Sequence, residues 1–549
     1  MPDRFALHYD IEAFNIDGLQ LTGRQAAGVG LLRALAQEQG LREIGCLAPQ
    51  RSQVDACQVA LRADGYAGEL AWLTPSRPQD LARYGTLYHP GPDIERLAWQ
   101  RLRAGERSHS LCGIVHGLAS HETMRAVASL AVAPVRSWDA IVCPSRVVRD
   151  SVRVLLEAQF DYLRARVGAT RFELPQLPLI PLGVHCDDLR FGDAERQAAR
   201  ARLGVEPDDV VVLSLGRLSL HAKSHPQQMF TALERADKGG RQVHLVLCGW
   251  FAGEAVEAAF HEAAMLLCPS VRLHVLDGRE QQHKRAAWAS ADIFTSLSDT
   301  LQETFGLSPL EAMAAGLPCV VSDWNGYRDT VRDGVDGYRV ASMMPGPGAG
   351  HDLAERYGDG VDSVDTYCGH ASQAVALDGA GLAQAYGSLI RDASLRRTMG
   401  ENARTRARQD FDWRAIVMRY RALFDDLAER RRADPMMAPA LPPTAPDRLD
   451  PFRLFASYAT RALSPTSTVE LKGDASLALV RQYRELAINR FAAGSMPTLE
   501  EFGVIFGAIG PRPMQVDELI DALGPCDRPT LLRGLAWLCK MDMLRITDG

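Results

Sequence analysis

The chain reads as an α/β protein built from two doubly wound halves and a small, mainly helical carboxy-terminal module. Three observations predict this. Strand-like runs alternate with amphipathic helical stretches from residue 5 to about residue 185, the pattern of a parallel sheet covered by helices. The alternation resumes between residues 210 and 298. A proline-rich stretch, ADPMMAPALPPTAPDRLDP (433–451), then sets off a segment of different character. With 549 residues the chain exceeds what one hydrophobic core supports. The expected division is 1–185, 186–432, a linker at 433–450, and a module at 451–549.

Composition narrows the function classes. A hydrophobic fraction of 46% and a charged fraction of 23% are ordinary for a soluble globular protein. The net charge of -7 argues against a general attraction to nucleic acid or anionic lipid. Eleven cysteines are scattered without CxxC pairs, and Cys248 and Cys319 fall in apolar runs where a reduced thiol packs as a small hydrophobe. A reducing cytoplasm is the expected location. No run of 18 uncharged apolar residues is present, and the opening MPDRFALHYDIEAF lacks the apolar region of a signal peptide.

In the first half the expected strands are FALHYDI, REIGCLA, GELAWLT, TLYHP, SLCGIVHG, DAIVCPS and LPLIPLG. The first strand is followed by GRQAAGVGLLRALAQ (23–37), a glycine-bearing turn opening a helix. Its Gly28-Val29-Gly30 departs from a dinucleotide fingerprint, because position 33 is Arg33 and no acidic residue is evident about 20 residues on. His116 closes the run LCGIVHG, at the carboxyl edge of a strand, where ligands bind in open α/β sheets. Ser145 is placed to cap a helix whose Arg146, Arg149 and Arg153 read as a solvated face.

In the second half VVVLSLGR, VHLVLCG, VRLHVLDG and DIFTSLS are expected strands, with helices such as AGEAVEAAFHEAAMLL between them. Arg217 and Lys223 bracket the turn in GRLSLHAK. Two facing halves would leave a cleft, a favoured place for a small-molecule site. The densest local signals lie in ETFGLSPLEAMAAGLPCVVSDWNGYRDTV (303–331). Ser308, Pro309 and Glu311 have the spacing of a capping box with proline at the first helical position. Gly316 then stops the helix, and CVVSD reads as a buried parallel strand. Glu303, Phe305 and Gly306 precede that helix, where backbone N–H groups and its positive end would face an anion. Residues 341–375, rich in Gly, Pro and Asp, are long for a connection, as functional or disordered loops are, and are expected to shape one side of that cleft.

The 303–331 stretch resembles the Glu, seven residues, Glu signature of family 4 retaining glycosyltransferases, with ETFGL and EAMAAGLP as its opening and continuation. The resemblance extends over about 430 residues, through LPLIPLGVH (177–185) at the entry to the second domain and a last helix crossing back onto the first. It implies a GT-B fold and transfer of a sugar from a UDP- or GDP-type nucleotide sugar to a glycan, protein or small-molecule acceptor, with retention of configuration. By resemblance, Arg217 and Lys223 reach the diphosphate, Glu311 the ribose, and Gly23 approaches the phosphates. Glu303 and the backbone of Phe305, Gly306 and Leu307 hold the donor sugar, and His116 lines its site. Gly117 and Leu118 stand where many relatives carry a second polar residue.

A departing nucleoside diphosphate needs its charge stabilised, by fixed cations and a helix terminus or by a metal. The one tight Asp-x-Asp, Asp410 and Asp412 in QDFDW, suits a helix cap better than Mg²⁺, so neither metal nor cofactor is expected.

In the module, MQVDELIDAL and DRPTLLRGLAWLCKMDMLRITD read as helix, helix, short strand, a winged-helix pattern. Residues 451–549 hold 11 Lys plus Arg against 11 Asp plus Glu, without the basic excess that phosphate binding requires. A protein partner or self-association is expected there rather than nucleic acid, and peripheral membrane contact stays open. Two rivals remain beside the transferase: a GT-B phosphorylase or epimerase, and a silent scaffold acting through the module.

Overall fold

The computed structural model describes residues 3–14, 23–221, 223–435 and 444–547. They form two compact units, Met1–Ala445 and Pro446–Gly549. Residues 436–443, within the expected linker, lie outside the described residues.

The first unit contains two six-stranded sheets. One is formed by β1 (Arg4–His8), β2 (Glu43–Leu47), β3 (Glu69–Leu73), β4 (Thr86–Tyr88), β5 (Ser110–Ile114) and β6 (Ala140–Val142), in the order β3-β2-β1-β4-β5-β6. The other comprises β7 (Val210–Leu215), β8 (Val243–Gly249), β9 (Val271–Asp277), β10 (Ile293–Ser296), β11 (Cys319–Ser322) and β12 (Gly337–Val340), in the order β12-β11-β10-β7-β8-β9. Every pairing in both sheets is parallel. Read from the far edge of each, the two orders are the same, 3-2-1-4-5-6. Such sheets reverse direction once, between β1 and β4 and between β7 and β10, and ligands bind beyond the carboxyl ends of the strands at that point.

These sequences become parallel strands because both faces are covered. All seven residues of β8 are buried, and β7 buries Val210 to Leu213, which an alternating polar pattern would not permit. LPLIPLG, expected as a seventh strand, forms no strand. With the preceding Gln176 it runs beside β6 through isolated bridges at Gln176 and Leu179, because its two prolines, Pro178 and Pro181, lack the N–H groups that a ladder needs.

Gly28 and Gly30 lie inside the helix Gly23–Ala36, not in a turn. A Cβ on Gly28 would stand 2.1 Å from the Ala13 carbonyl oxygen, and one on Gly30 would stand 2.6 Å from Trp413 Nε1. These glycines serve close packing.

The helix Trp413–Ala433 crosses to the first sheet. Tyr420 meets Tyr88 edge-on at 5.6 Å, and Arg431 donates to the Gly85 carbonyl at 2.6 Å. Asp412 caps that helix by accepting from the Arg414 N–H at 3.0 Å, as the QDFDW reading expects. Residues 341–375 are more structured than their composition suggests. The helices His351–Gly358 and Val364–Ser372 lie between two short antiparallel strands, β13 (Ser342–Met343) and β14 (Ala376–Leu377).

The second unit has its own core around Val469, Phe502, Leu535 and Leu538. Its helices Val516–Leu523 and Arg528–Lys540 lead into β17 (Leu544–Thr547), the expected helix, helix, strand. That strand pairs antiparallel with β15 (Thr468–Leu471), which also pairs with β16 (Met514–Gln515). Among the described residues no helix is long and apolar enough to cross a membrane. All eleven cysteines are unpaired, nine of them buried.

Candidate active site between the two sheets

The second sheet reverses between β7 and β10, and the loops leaving these two strands carry the principal charges. Arg217 and Lys223 follow β7; Gln302 and Glu303 follow β10. Lys223 Nζ donates to Glu303 Oε2 at 2.6 Å, and Arg217 Nη2 to Gln302 Oε1 at 3.2 Å. Burial works against charge on both members of the Lys223–Glu303 pair. Their mutual attraction outweighs it, holding the Lys223 ammonium above its usual range. The Glu303 carboxyl stays below its own, helped by the N–H groups of Thr304 and Phe305. Both groups are therefore ionised at neutral pH.

Glu303 lies just before the helix Leu307–Ala315. The capping box expected from Ser308 and Glu311 does not form. The helix starts one residue before Ser308, whose buried Oγ has no hydrogen-bond partner, and Gly306 occupies the N-cap position at φ 84°. A side chain at Gly306 would also collide with the Tyr327 ring, 2.3 Å from the Cβ position, so this tight entry requires glycine. Glu311 is thus free of a capping role, and Lys284 Nζ donates to it at 3.3 Å. The helix ends as expected, with Gly316 left-handed at φ 82°.

Two cavities flank this stretch. Glu311 and Leu307 line one of about 200 Å³, shared with Lys284, Trp288, His185 and Gly30. Glu303 and Thr304 line a second of about 480 Å³. The first domain closes over the same stretch. Thr304 Oγ1 donates to the His116 carbonyl at 2.7 Å, Ser145 Oγ donates to the Thr304 carbonyl at 3.1 Å, and Arg146 pairs with Asp329 at 2.6 Å. Ser145 is the helix cap expected of it. Arg146, read as part of a solvated face, also ties the two domains.

His116 follows β5, with its Nδ1 buried and unpartnered. Burial, with Arg24 and His89 nearby, lowers its pKa to about 3, leaving a neutral ring. Gly23 begins its helix with nothing within 4 Å of its Cβ position.

The sequence reading missed a neighbouring group. His8 ends β1, and His89 follows β4 at the reversal of the first sheet. Their Nδ1 atoms are 2.8 Å apart, and His89 Nε2 lies 2.8 Å from Asp93. Burial and His89 lower His8 to about 3. The rule that selects His116, a polar residue at the carboxyl edge of a strand, also selects His89 in TLYHP.

Residues 195–344 match the family model described as glycosyl transferases group 1. A D-inositol 3-phosphate glycosyltransferase of Geodermatophilus obscurus is 34% identical over 181 residues, 30% of this chain and 37% of that protein. One from Mycobacterium leprae is 28% identical over 233 residues, 42% of this chain and 49% of its own length. The chain thus spans between about a third and a half of the curated relatives it matches. Anabaena HepE, solved in complex with UDP and glucose, shares the fold with a TM-score of 0.50 at 16% identity, over 77% of this chain and 100% of that one. The fold is GT-B, and its second domain carries the sequence pattern of group 1 glycosyl transferases.

Proposed function

We propose that the chain transfers a sugar from a nucleoside diphosphate sugar to an acceptor hydroxyl, with retention at the anomeric carbon. The observation that carries this reading is the Lys223–Glu303 pair, with Arg217 beside it, before the amino end of the helix Leu307–Ala315 and within the matched residues. The bond between the anomeric carbon and the diphosphate oxygen breaks, the acceptor oxygen bonds to that carbon, and the acceptor's proton passes to the departing phosphate. The leaving group gains negative charge as the bond opens. Arg217, Lys223 and the helix terminus stabilise that charge without a metal.

In this reading Glu311 binds the ribose in the smaller cavity, and Gly23 approaches the phosphates from the first domain. Glu303 and the backbone of Phe305, Gly306 and Leu307 hold the donor sugar, with the neutral ring of His116 lining its site. Lys223 exchanges part of its bond with Glu303 for the incoming phosphate, and Glu303 turns its carboxylate to sugar hydroxyls. The reaction itself is the test. Incubation of the full chain with UDP- and GDP-sugars and an acceptor panel, followed by proton NMR, should show donor loss and a product with the donor's anomeric configuration. An inverted product overturns retention; acceptor-independent conversion of donor to an isomer favours an epimerase.

A further inference from the structure

Tyr327 is fully buried at the start of the short helix Tyr327–Thr330, yet three parts of the candidate active site meet on it. Its ring packs against Gly306, where a Cβ would stand 2.3 Å from the ring. The preceding Gly326 lies against the loop that carries Glu303, since a Cβ there would stand 2.5 Å from Phe305 Cα and 2.7 Å from the Thr304 carbonyl oxygen. The Tyr327 hydroxyl lies 2.7 Å from Ser296 Oγ, at the end of β10, and also bonds the Lys223 ammonium.

The direction of these bonds follows from the groups themselves. An ammonium only donates, so the Tyr327 oxygen accepts from Lys223 and its own proton goes to Ser296 Oγ. Burial raises the phenol pKa to about 12, which keeps that proton in place at neutral pH. Phenylalanine would fill the same space, so packing alone does not call for a hydroxyl, which is costly to bury unless it is bonded. Lys223 Nζ therefore has two partners of different kinds: Glu303 Oε2 at 2.6 Å and the Tyr327 hydroxyl. Glu303 borders a cavity of about 480 Å³ into which its carboxylate can turn. Tyr327 is enclosed and stays where it is.

We infer that Tyr327 is a positioning residue for the donor's diphosphate: its hydroxyl holds the Lys223 ammonium in place when Glu303 turns to the sugar, and its ring sets the entry of the helix Leu307–Ala315, whose amino end faces the same phosphates. The inference rests on the transferase reading above and adds the residue that aligns two of its sources of positive charge. Such charges act in full only when they are held in place before the substrate arrives, by packed side chains and hydrogen bonds behind them.

The test titrates the full chain with UDP, GDP and the matching nucleosides, by calorimetry or, for millimolar affinities, by ligand-observed NMR. Tyr327→Phe keeps the ring on Gly306 and removes only the hydroxyl, so circular dichroism should show the wild-type fold. It should bind the favoured nucleoside diphosphate about tenfold more weakly, as expected for a lost bond to a charged group. The nucleoside, which offers Lys223 no phosphate, should lose less than about twofold. Lys223→Met keeps the stem beside Gly216 and has no donor. In that background Tyr327→Phe should change diphosphate affinity by less than about twofold, the mark of a residue that acts through another. Unchanged diphosphate affinity in Tyr327→Phe, an equal loss for nucleoside and diphosphate, or the same loss in the Lys223→Met background would overturn the inference. Failure of both UDP and GDP to bind the wild type would instead overturn the transferase reading beneath it.

Discussion

Lys223 and Arg217 meet their partners through side chains alone, so removing either leaves the strands and loops that carry them in place. Arg217→Ala or Lys223→Ala should therefore keep the fold, with some loss of stability in Lys223→Ala because the buried Glu303 carboxylate loses its partner, and lower transfer by roughly 100-fold or more, the usual loss of one transition-state charge contact. Near-normal turnover in both variants would remove the diphosphate assignment. Asp299 is a separate case. It is fully buried, one carboxylate oxygen has no partner, and burial pushes its pKa up to about 7 from 3.8, although the His225 N–H opposes that shift. Its folded pKa is raised, so the folded chain keeps a proton that the unfolded chain releases. That contribution to stability is full below about pH 4 and is lost as pH rises through about 7. Asp299→Asn, neutral throughout, should raise stability at pH 8 by about 1–3 kcal/mol and flatten the fall between pH 4 and 7. Denaturant melts at several pH values read this directly; an unchanged pH slope would contradict it.

Elements differ in how plainly the sequence announces them. Eleven of the twelve strands of the two sheets were legible because strands buried on both faces need continuous apolar runs, and VVVLSL or VHLVLCG serve no other structure well, whereas the short, partly exposed GYRV of β12 gave no such run. LPLIPLG was misread because its apolar side chains suit a strand while its prolines do not. The start of the helix Leu307–Ala315 was misread for another reason: Ser308 and Glu311 satisfy a local rule, but Tyr327, packed over Gly306 from about twenty residues away, moves the helix start. Residues 341–375 hid their helices behind glycine and proline. What stabilises them is non-local, chiefly the stack of His121, Tyr357 and Tyr367. Tyr357→Ala should cost about 1–3 kcal/mol through lost stacking and the lost hydrogen bond to His121. Amide hydrogen exchange should quicken across residues 351–372, and unchanged protection there would show that the helices hold themselves.

Across the whole molecule, the named site residues fall in the unit Met1–Ala445, while Pro446–Gly549 has a separate core. The residues proposed to meet the donor stood out in the sequence because they sit in short motifs next to strands. His8 and His89 escaped because they lie 81 residues apart and meet only at the sheet reversal. Removing residues 451–549 should leave donor binding and slow donor hydrolysis unchanged while reducing transfer to the natural acceptor. A truncated chain that is folded, monodisperse and fully active on that acceptor would contradict the partner role of the module. Transfer should also persist in excess EDTA, since Arg217, Lys223 and the helix terminus supply the positive charge. Complete loss, restored by Mg²⁺ or Mn²⁺, would contradict that.

The central claim is that the charges after β7 and β10 receive a nucleoside diphosphate. Calorimetric titration of the full chain and of Lys223→Ala with UDP and with GDP tests it most directly. The account predicts saturable one-to-one binding of one nucleotide by the wild type and affinity at least tenfold weaker in the variant. Equal affinity in the two proteins, or no binding of either nucleotide by the wild type, would contradict it.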